Sequence, residues 1–530
     1  MATDIGRGGD GVFGCMSQKN RTSYAFAIVL LLIAGAALRG YRCFSWPLDG
    51  DEVYTLHNSR VIHWGIDPAE LTGRIYALCP LSFYLNRPLL DAGFSDAIAI
   101  RLLPLLAGIT ACAVLWWLCL NCFGPRVALI ATALLVFNPY HVEMSQYGRY
   151  YSLVLLLANV SLLLFYEALR DRAYRKLAVS MFALLLAILS HLPAAFLLPA
   201  QFVVVLLHWF ASRRDEASAR FSLRSSLVLA ALAVALAGYA YPAIGQWEGV
   251  RQAGGRSPPG LLAGWTAGAG LGVALLNAFG IAYLAWRRDV RLLLPLFAQA
   301  VPCAALLAMA LAGKTVMPQF VGYVYFPMFL VGGLAIDSLF LATDGESTTA
   351  KPRLVIALML CLAIAPSLPS LASQYVDGNR HDFPAAIEAM RPAVEKGGLV
   401  FSSWPHVFAY HARQTLDVPI VTSPEYDPKL AEEIRAGKLV VVQSPDYPIL
   451  LGKPDFPYRE PGSIWVVQKV ERDRDDTKFI YADKRILFSW DPFAAIRLEV
   501  SHPRFDHRRN RLDVFRIDET RFGKRLESQE

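Results

Sequence analysis

The chain has 530 residues, 55% of them hydrophobic and only 18% charged, with a mean hydropathy of +0.37. That excludes an ordinary soluble protein, which would carry more charge at this length. The formal charge of +7 does not mark a nucleic-acid binder, because the basic residues fall in alternate loops between apolar runs and no basic-aromatic array accompanies them.

The first 22 residues are polar. The apolar run from Ser23 to about Tyr41 is long enough to cross a bilayer core. It lacks a small-residue cleavage site and reads as a retained first helix. Asp49, Asp51 and Glu52 follow directly, in Pro47-Leu48-Asp49-Gly50-Asp51-Glu52-Val53-Tyr54. Carboxylates beside a membrane are expensive unless solvated or used. The segment 43–97 is too long for a plain connector, and its semi-apolar stretches carry Trp64, Tyr76, Phe83 and Tyr84. Short helices lying in the interface fit it best.

Eleven spans are expected: 23–41, 98–120, 126–140, 150–169, 177–191, 194–211, 225–244, 261–286, 291–312, 320–342 and 354–372. The loops with Arg170, Arg172, Arg175 and Lys176, with Arg213, Arg214, Arg220 and Arg224, with Arg287, Arg288 and Arg291, and with Lys351 and Arg353 all fall on the N-terminal side. The positive-inside rule makes that side cytoplasmic. The expected protein is a multi-pass protein of the cell (cytoplasmic) membrane, with the N-terminal tail 1–22 inside, a membrane domain 23–372 and a soluble domain 373–530 outside. That last region reads as α/β: helical spacing over 382–394 and 428–436, strand-like runs at 398–401, 439–442, 464–470, 479–488 and 512–517. No GxGxxG or P-loop pattern is present. The eight cysteines form no framework, none lies beyond residue 374, and no cysteine or histidine spacing argues for zinc. Cys43 and Cys79 flank the first outer segment and could pair.

Two features could carry chemistry. Asp51 and Glu52 stand where a carboxylate could take a proton from an attacking hydroxyl, and Asp49 could hold a metal or a sugar hydroxyl. A solvated loop would carry the same residues. The second feature is Gln146-Tyr147-Gly148-Arg149-Tyr150-Tyr151, opening a helix on the same outer side. The helix dipole disfavours a cation at that end. A bound anion would explain Arg149, and so would snorkelling to lipid headgroups. His191 lies at a helix end. Lys314, Arg251 and Arg256 could meet a lipid phosphate or anchor the interface. Arg101, just inside the second span, should pair with an acid or a phosphate.

In their order, these elements resemble a GT-C glycosyltransferase of the protein mannosyltransferase and aminoarabinose transferase type, and are similar to the bacterial lipopolysaccharide-core transferases of the rhizobial kind. The resemblance rests on Asp51-Glu52 followed by Tyr54, on Pro80-Leu81 with Phe83-Tyr84, and on Arg101-Leu102 with Pro104. It rests too on Pro139 followed by Gln146, Arg149, Tyr151 and Leu153. Two family features are missing: an arginine near 318–327, and a histidine where Leu78 and Cys79 stand.

The resemblance covers about residues 23–400. It implies transfer of a sugar from a polyprenyl-phosphate-linked donor to a glycan, lipid or protein acceptor at the outer face, with inversion. Asp51 would be the general base, and Glu52 and Asp49 would position hydroxyls or, with Asp51, a divalent ion. Arg149, with Lys314 or Arg101, would stabilise the departing lipid phosphate. A transporter or flippase of lipid-linked sugars is the rival reading, with Asp337 as its mid-membrane charge. A non-catalytic envelope scaffold is the third.

Overall fold

The computed structural model describes residues 18–63, 78–247, 258–312, 316–343 and 351–377, then single residues and strands between 383 and 516. The expected tail helices at 382–394 and 428–436 and the run at 479–488 lie mostly or wholly outside these residues. So do Lys314, Arg251, Arg256, Trp64 and Tyr76.

The chain divides into two compact units. One holds the described residues of 18–44 and 55–374; the other takes Ser45–Tyr54 together with the described residues from Tyr375 on.

The first unit is helical: α1 (Gln18–Gly40), most of α2 (Gly50–Val61), α3 (Leu81–Asp91), α4 (Asp96–Phe123), α5 (Pro125–Val136), α6 (Pro139–Ser145), α7 (Tyr151–Asp171) and α8 (Tyr174–Ser190). It continues with α9 (Leu197–Ala211), α10 (Glu216–Trp247), α11 (Pro258–Ala269), α12 (Leu271–Trp286) and α13 (Leu293–Leu311). The last helices are α14 (Tyr325–Thr343), α15 (Lys351–Ile364) and α16 (Leu368–Asp377). Short 3-10 turns at Leu192–Phe196 and Pro318–Val324 lead into α9 and α14.

Among the described residues six helices are long and apolar enough to cross a membrane: Asp96–Phe123, Tyr151–Asp171, Leu192–Ala211, Glu216–Tyr239, Val290–Leu311 and Pro318–Leu341. A seventh arises if α5 and α6 count as one span bent by 65°. Three further apolar helices, Tyr24–Gly40, Leu271–Trp286 and Ala357–Ala372, are shorter than a span, so the expected eleven are not reached among the described residues.

Local chemistry explains the breaks. The run at 126–140 stops at Asn138-Pro139. Proline bars the preceding residue from continuing the helix, and Asn138 Oδ1 caps α6 by accepting from the His141 N–H (2.9 Å). Its Nδ2 donates to the Gly268 and Ala269 carbonyls at the end of α11 (3.0 and 3.1 Å). The run at 261–286 stops at Gly270, whose φ of +88° a residue with a side chain rarely adopts.

The freed carbonyls are met by buried side chains. Arg39 donates to the carbonyls of Leu135 (3.1 Å) and Val136 (3.4 Å) at the end of α5, and to His141 Nδ1 (2.6 Å). A guanidinium only donates, so His141 keeps its proton on Nε2. Gln146 Nε2 donates to the carbonyls of Leu38, Arg39 and Tyr41, closing the end of α1. Gln374 Nε2 in turn holds Gln146 Oε1 (3.0 Å).

The core is one apolar cluster between α4–α9 and α11–α14, with Leu115, Phe165, Phe326 and Phe329 fully buried. Polar side chains tie helices across it: Asn277 Nδ2 to Gln299 Oε1 (2.9 Å), Gln201 Nε2 to Ser161 Oγ (3.1 Å), and Asn159 Nδ2 to the Tyr323 carbonyl (3.1 Å). Such contacts join helices where apolar burial does not discriminate protein from lipid. Outward, α10 exposes Leu223, Leu227, Val228 and Val234, a face that a bilayer would cover.

The loops grouped by charge meet one another. Arg172 pairs with Asp215 (2.8 Å), Lys176 with Glu167 and Asp171 (both 2.6 Å), and Arg170 donates to the Asn121 carbonyl. Asp337 sits between Arg126 (3.4 Å) and Arg291 (3.5 Å). Cys43 and Cys79 are separate buried thiols, so the pairing considered above does not occur.

In the second unit, β1 (Leu399–Ser402) lies parallel to β2 (Ile420–Val421) and to β5 (Ile464–Lys469), and β6 (Leu512–Arg516) runs antiparallel to β5. The sheet order is β2-β1-β5-β6, and β3 (Leu439–Gln443) forms a separate antiparallel pair with β4 (Pro448–Gly452).

Candidate functional site

The acidic segment opens α2. Gly50 is its first residue, and Asp51 and Glu52 fill the first turn, where negative charge complements the helix dipole. The three carboxylates are not equivalent. Glu52, fully buried, turns its Oε2 back to accept from the Asp49 N–H (3.1 Å). Asp49 Oδ1 accepts from the Gly50 N–H (2.9 Å), and its carbonyl accepts from Glu52 and Val53 (3.0 Å each). Glu52 thus makes the return half of a capping box, while its own N–H goes to the Asp49 carbonyl and not to the Asp49 carboxylate. Asp51 is half-buried. The D-x-x-E spacing was the signal in the sequence, hidden because attention falls on the adjacent Asp-Glu pair.

The unit that holds these residues also holds part of the C-terminal region. His411 Nε2 donates to the Leu48 carbonyl (3.0 Å), one residue before Asp49, and Phe383 stacks on the His411 ring (5.9 Å, 7°). Nothing in the order of the sequence announces a contact between residues 363 positions apart. Tyr54 lies further along α2 and is half-buried.

The other residues belong to the helical unit. Arg149 lies in the bent segment between α6 and α7 and is 5% exposed. It donates through Nη1 to Thr55 Oγ1 (3.3 Å), and its guanidinium lies over the Tyr150 ring at 5.1 Å. α7 begins only at Tyr151, so Arg149 precedes the helix instead of opening it as expected, and the dipole argument made from the sequence weakens. Tyr151 and His191 come together. The His191 ring stacks on Tyr150 (4.8 Å, 27°) and meets Tyr151 and Phe320 edge-on (5.7 and 5.6 Å). Arg101 is fully buried on α4 and donates to the Cys43 carbonyl (3.1 Å). Arg149, Tyr151 and His191 thus form one cluster, while Arg101 is held at the entrance to the first loop. Sequence reasoning did not foresee Phe320 or Thr55 as neighbours of this cluster. Among the described residues no three His, Cys, Asp or Glu side chains are gathered for a metal ion.

The fold defines a helical protein with six or seven helices long and apolar enough to cross a membrane among the described residues. Residues 79–240 match the model of the dolichyl-phosphate-mannose-protein mannosyltransferase family, which bears out the resemblance read from the sequence. No curated protein matches by sequence. Among solved structures, the chain is similar to the apo oligosaccharyltransferase of Archaeoglobus fulgidus at 14% identity and a TM-score of 0.48, covering 75% of this chain and 64% of that one. It is similar to apo ArnT from Cupriavidus metallidurans at 14% identity and a TM-score of 0.46, covering 82% and 98%. The ArnT structure bound to undecaprenyl phosphate matches at 12% identity and a TM-score of 0.45, covering 86% and 94%. The chain therefore spans just under two thirds of the length of the oligosaccharyltransferase.

Proposed function

We propose that this protein is a membrane glycosyltransferase that moves a sugar from a polyprenyl-phosphate-linked donor to an acceptor hydroxyl at the extracytoplasmic face of the cell membrane. The observation that carries the reading is the family match over 79–240, a stretch that contains the buried cluster of Arg149, Tyr151 and His191. The topology behind it is the one drawn from the basic loops, with the N-terminus inside and the C-terminal region outside.

In this reaction the Asp51 carboxylate takes the proton of the acceptor hydroxyl. The acceptor oxygen attacks the anomeric carbon from the face opposite the phosphate. The carbon–oxygen bond to phosphate breaks, and polyprenyl phosphate leaves with the electron pair. Inversion follows from the single displacement. Arg149 neutralises the departing phosphate, where a charge-assisted hydrogen bond is about twice as strong as a neutral one. Asp49 and Glu52 shape the start of α2 and so fix where Asp51 stands; a divalent ion, if one takes part, would use Asp49 and Asp51. In this proposal Tyr54, Tyr151, His191 and Arg101 serve the donor; Lys314, given the same role from the sequence, lies outside the described residues.

The transporter reading enlists Asp337. Its pairing with Arg126 and Arg291 gives that charge a structural role instead. The test uses purified protein in bilayers with radiolabelled polyprenyl-phosphate sugars. Arg149→Ala should slow transfer by about 10-fold to 150-fold, the loss of a charge-assisted bond of about 1.5–3 kcal/mol. Transfer at the parental rate would remove Arg149 from the mechanism.

A further inference from the structure

The end of the helical unit that carries the basic loops has more cations than its acids hold. Arg172 pairs with Asp215, Lys176 with Glu167 and Asp171, and Arg220 with Glu216 (2.7 Å). Those pairs engage every acidic residue of 167–176 and 211–220. Arg175, Arg213, Arg214 and Arg224 are left over, all exposed, and among the described residues none of them meets a carboxylate. Arg213 covers its own helix end, its guanidinium over the Trp209 and Phe210 rings (5.2 and 4.2 Å). Arg224 reaches the start of α8 instead. Its Nη1 donates to the Tyr174 hydroxyl (3.2 Å), and the Tyr174 ring packs on Phe221 (4.8 Å). Arg175 is the next residue after Tyr174, so Arg175 and Arg224 stand together. Uncompensated cations at the edge of a bilayer attract anionic headgroups.

Beyond these two arginines the surface is hydrocarbon. α8 and α10 both start from loops that the Arg172–Asp215 pair joins. On α8 the next exposed residues are Val179 (52%) and Phe182 (60%); on α10 they are Leu227 (62%) and Val228 (44%). Spacings of three, four and seven keep each pair on the helix face headed by its arginine. α10 is also the least covered of the six long apolar helices: 22% of its apolar stretch is buried, against 39–78% in the other five. Its covered seam, Ser218, Ser222, Ser225, Leu229 and Leu236, turns to α9, where Ser222 Oγ meets His208 Nδ1 (2.8 Å). Tyr174 and Trp209 are residue types that settle at headgroup depth, which puts Arg175 and Arg224 at the level of lipid phosphates.

We propose that the arginine-headed surface of α8 and α10 holds an anionic glycerophospholipid of the adjoining leaflet. Arg175 and Arg224 grip its phosphate, and its acyl chains lie along Val179, Phe182, Leu227 and Val228. Charge complementarity selects this occupant. A guanidinium fork matches phosphate oxygens. A zwitterionic lipid brings a cation of its own to the arginines. A second copy of this chain docked by the same face would set arginine against arginine. The site is remote from the proposed transfer centre, since His191 follows the far end of α8, about 25 Å along the helix axis from Tyr174. The inference requires that these helices lie in a membrane; it does not depend on the transferase reading.

The test measures binding of dioleoyl-phosphatidylglycerol to the full chain in neutral detergent by native mass spectrometry, with phosphatidylcholine of the same acyl chains as comparison. Phosphatidylglycerol should bind about tenfold more tightly or better. Arg175→Gln and Arg224→Gln should each weaken it about fivefold, and together about 30-fold, the loss that goes with one surface cation and with two. Arg287→Gln combined with Arg288→Gln removes two exposed cations from another basic loop and should leave binding unchanged. Should the Arg175/Arg224 variant fold poorly, the parent decides alone: phosphatidylglycerol should raise its melting temperature and phosphatidylcholine should not. Equal binding or equal stabilisation by the two lipids overturns the site. So does an equal loss in the Arg287/Arg288 variant, which would mean diffuse charge only. Displacement of phosphatidylglycerol by inorganic phosphate at equal concentration overturns it too, since the acyl chains would then contribute nothing. Each of these outcomes leaves the transferase reading standing.

Discussion

The proposal gives the acidic segment one carboxylate for chemistry and one for architecture, and paired substitutions separate them. Asp51→Asn removes the proposed base and keeps size and polarity. Losing a general base lowers turnover by about 10²- to 10⁴-fold, equivalent to roughly 3–5 kcal/mol of barrier. Stability should change little, because asparagine keeps the size and polarity of the side chain. Glu52→Gln keeps an acceptor oxygen for the Asp49 N–H at 3.1 Å and loses only charge assistance, worth about 1 kcal/mol. Its turnover should stay within about tenfold of the parent. Glu52→Ala loses the cap, about 0.5–2 kcal/mol, and leaves a hole at a fully buried position, so the protein should melt earlier. The assay is initial-rate transfer from radiolabelled donor, with thermal unfolding followed on the same preparations. Parental transfer by Asp51→Asn, or a collapse in Glu52→Gln as deep as that in Asp51→Asn at equal stability, would refute the division of roles.

Three further outcomes follow from the helical unit. Asn138→Ala removes the α6 cap and both bonds to the end of α11; thermal unfolding should show a loss of about 2–4 kcal/mol, from three hydrogen bonds at about 1 kcal/mol each. Gly108→Ala places a methyl group against Ser145, whose hydroxyl is tied to the His141 carbonyl; overpacking of this kind typically lowers stability by about 1–3 kcal/mol. Asp215 is held below the usual carboxylate range, chiefly by the Ser218 hydroxyl (2.7 Å) and then by Arg172. A depressed folded value means stabilisation that is present above the unfolded pKa and lost as pH falls through the folded one. Ser218→Ala should therefore narrow the fall in melting temperature between neutral and strongly acidic pH, and an unchanged profile would contradict it.

Much of the membrane architecture was legible because it rests on composition. A run of apolar residues declares itself, and the ion pair Arg172–Asp215 joins two loops that charge alone had grouped. The breaks were harder. Asn138-Pro139 and Gly270 are both visible turn signals, yet hydropathy averaged over twenty residues passes straight across them. The role of Gln146 was not legible either: it reads as a motif residue, but it closes the end of α1, a task set by where α1 happens to stop. Arg39 and Glu52 show the same limit, since a buried charge next to helix ends is chosen by carbonyls and N–H groups that only packing brings near. The His191 cluster could be half seen. Tyr150 and Tyr151 adjoin Arg149 in the sequence, whereas Phe320 arrives from a turn more than a hundred residues away.

The central claim is that a lipid-linked sugar is broken at its phosphate bond and not merely bound or carried across. The direct measurement is the release of polyprenyl phosphate from a labelled polyprenyl-phosphate sugar by the purified protein in bilayers, with acceptor supplied as a membrane extract. The account predicts free polyprenyl phosphate in equal amount to label gained by a non-donor product, both dependent on Asp51. Donor recovered intact, whether retained on one leaflet or moved to the other, would contradict it.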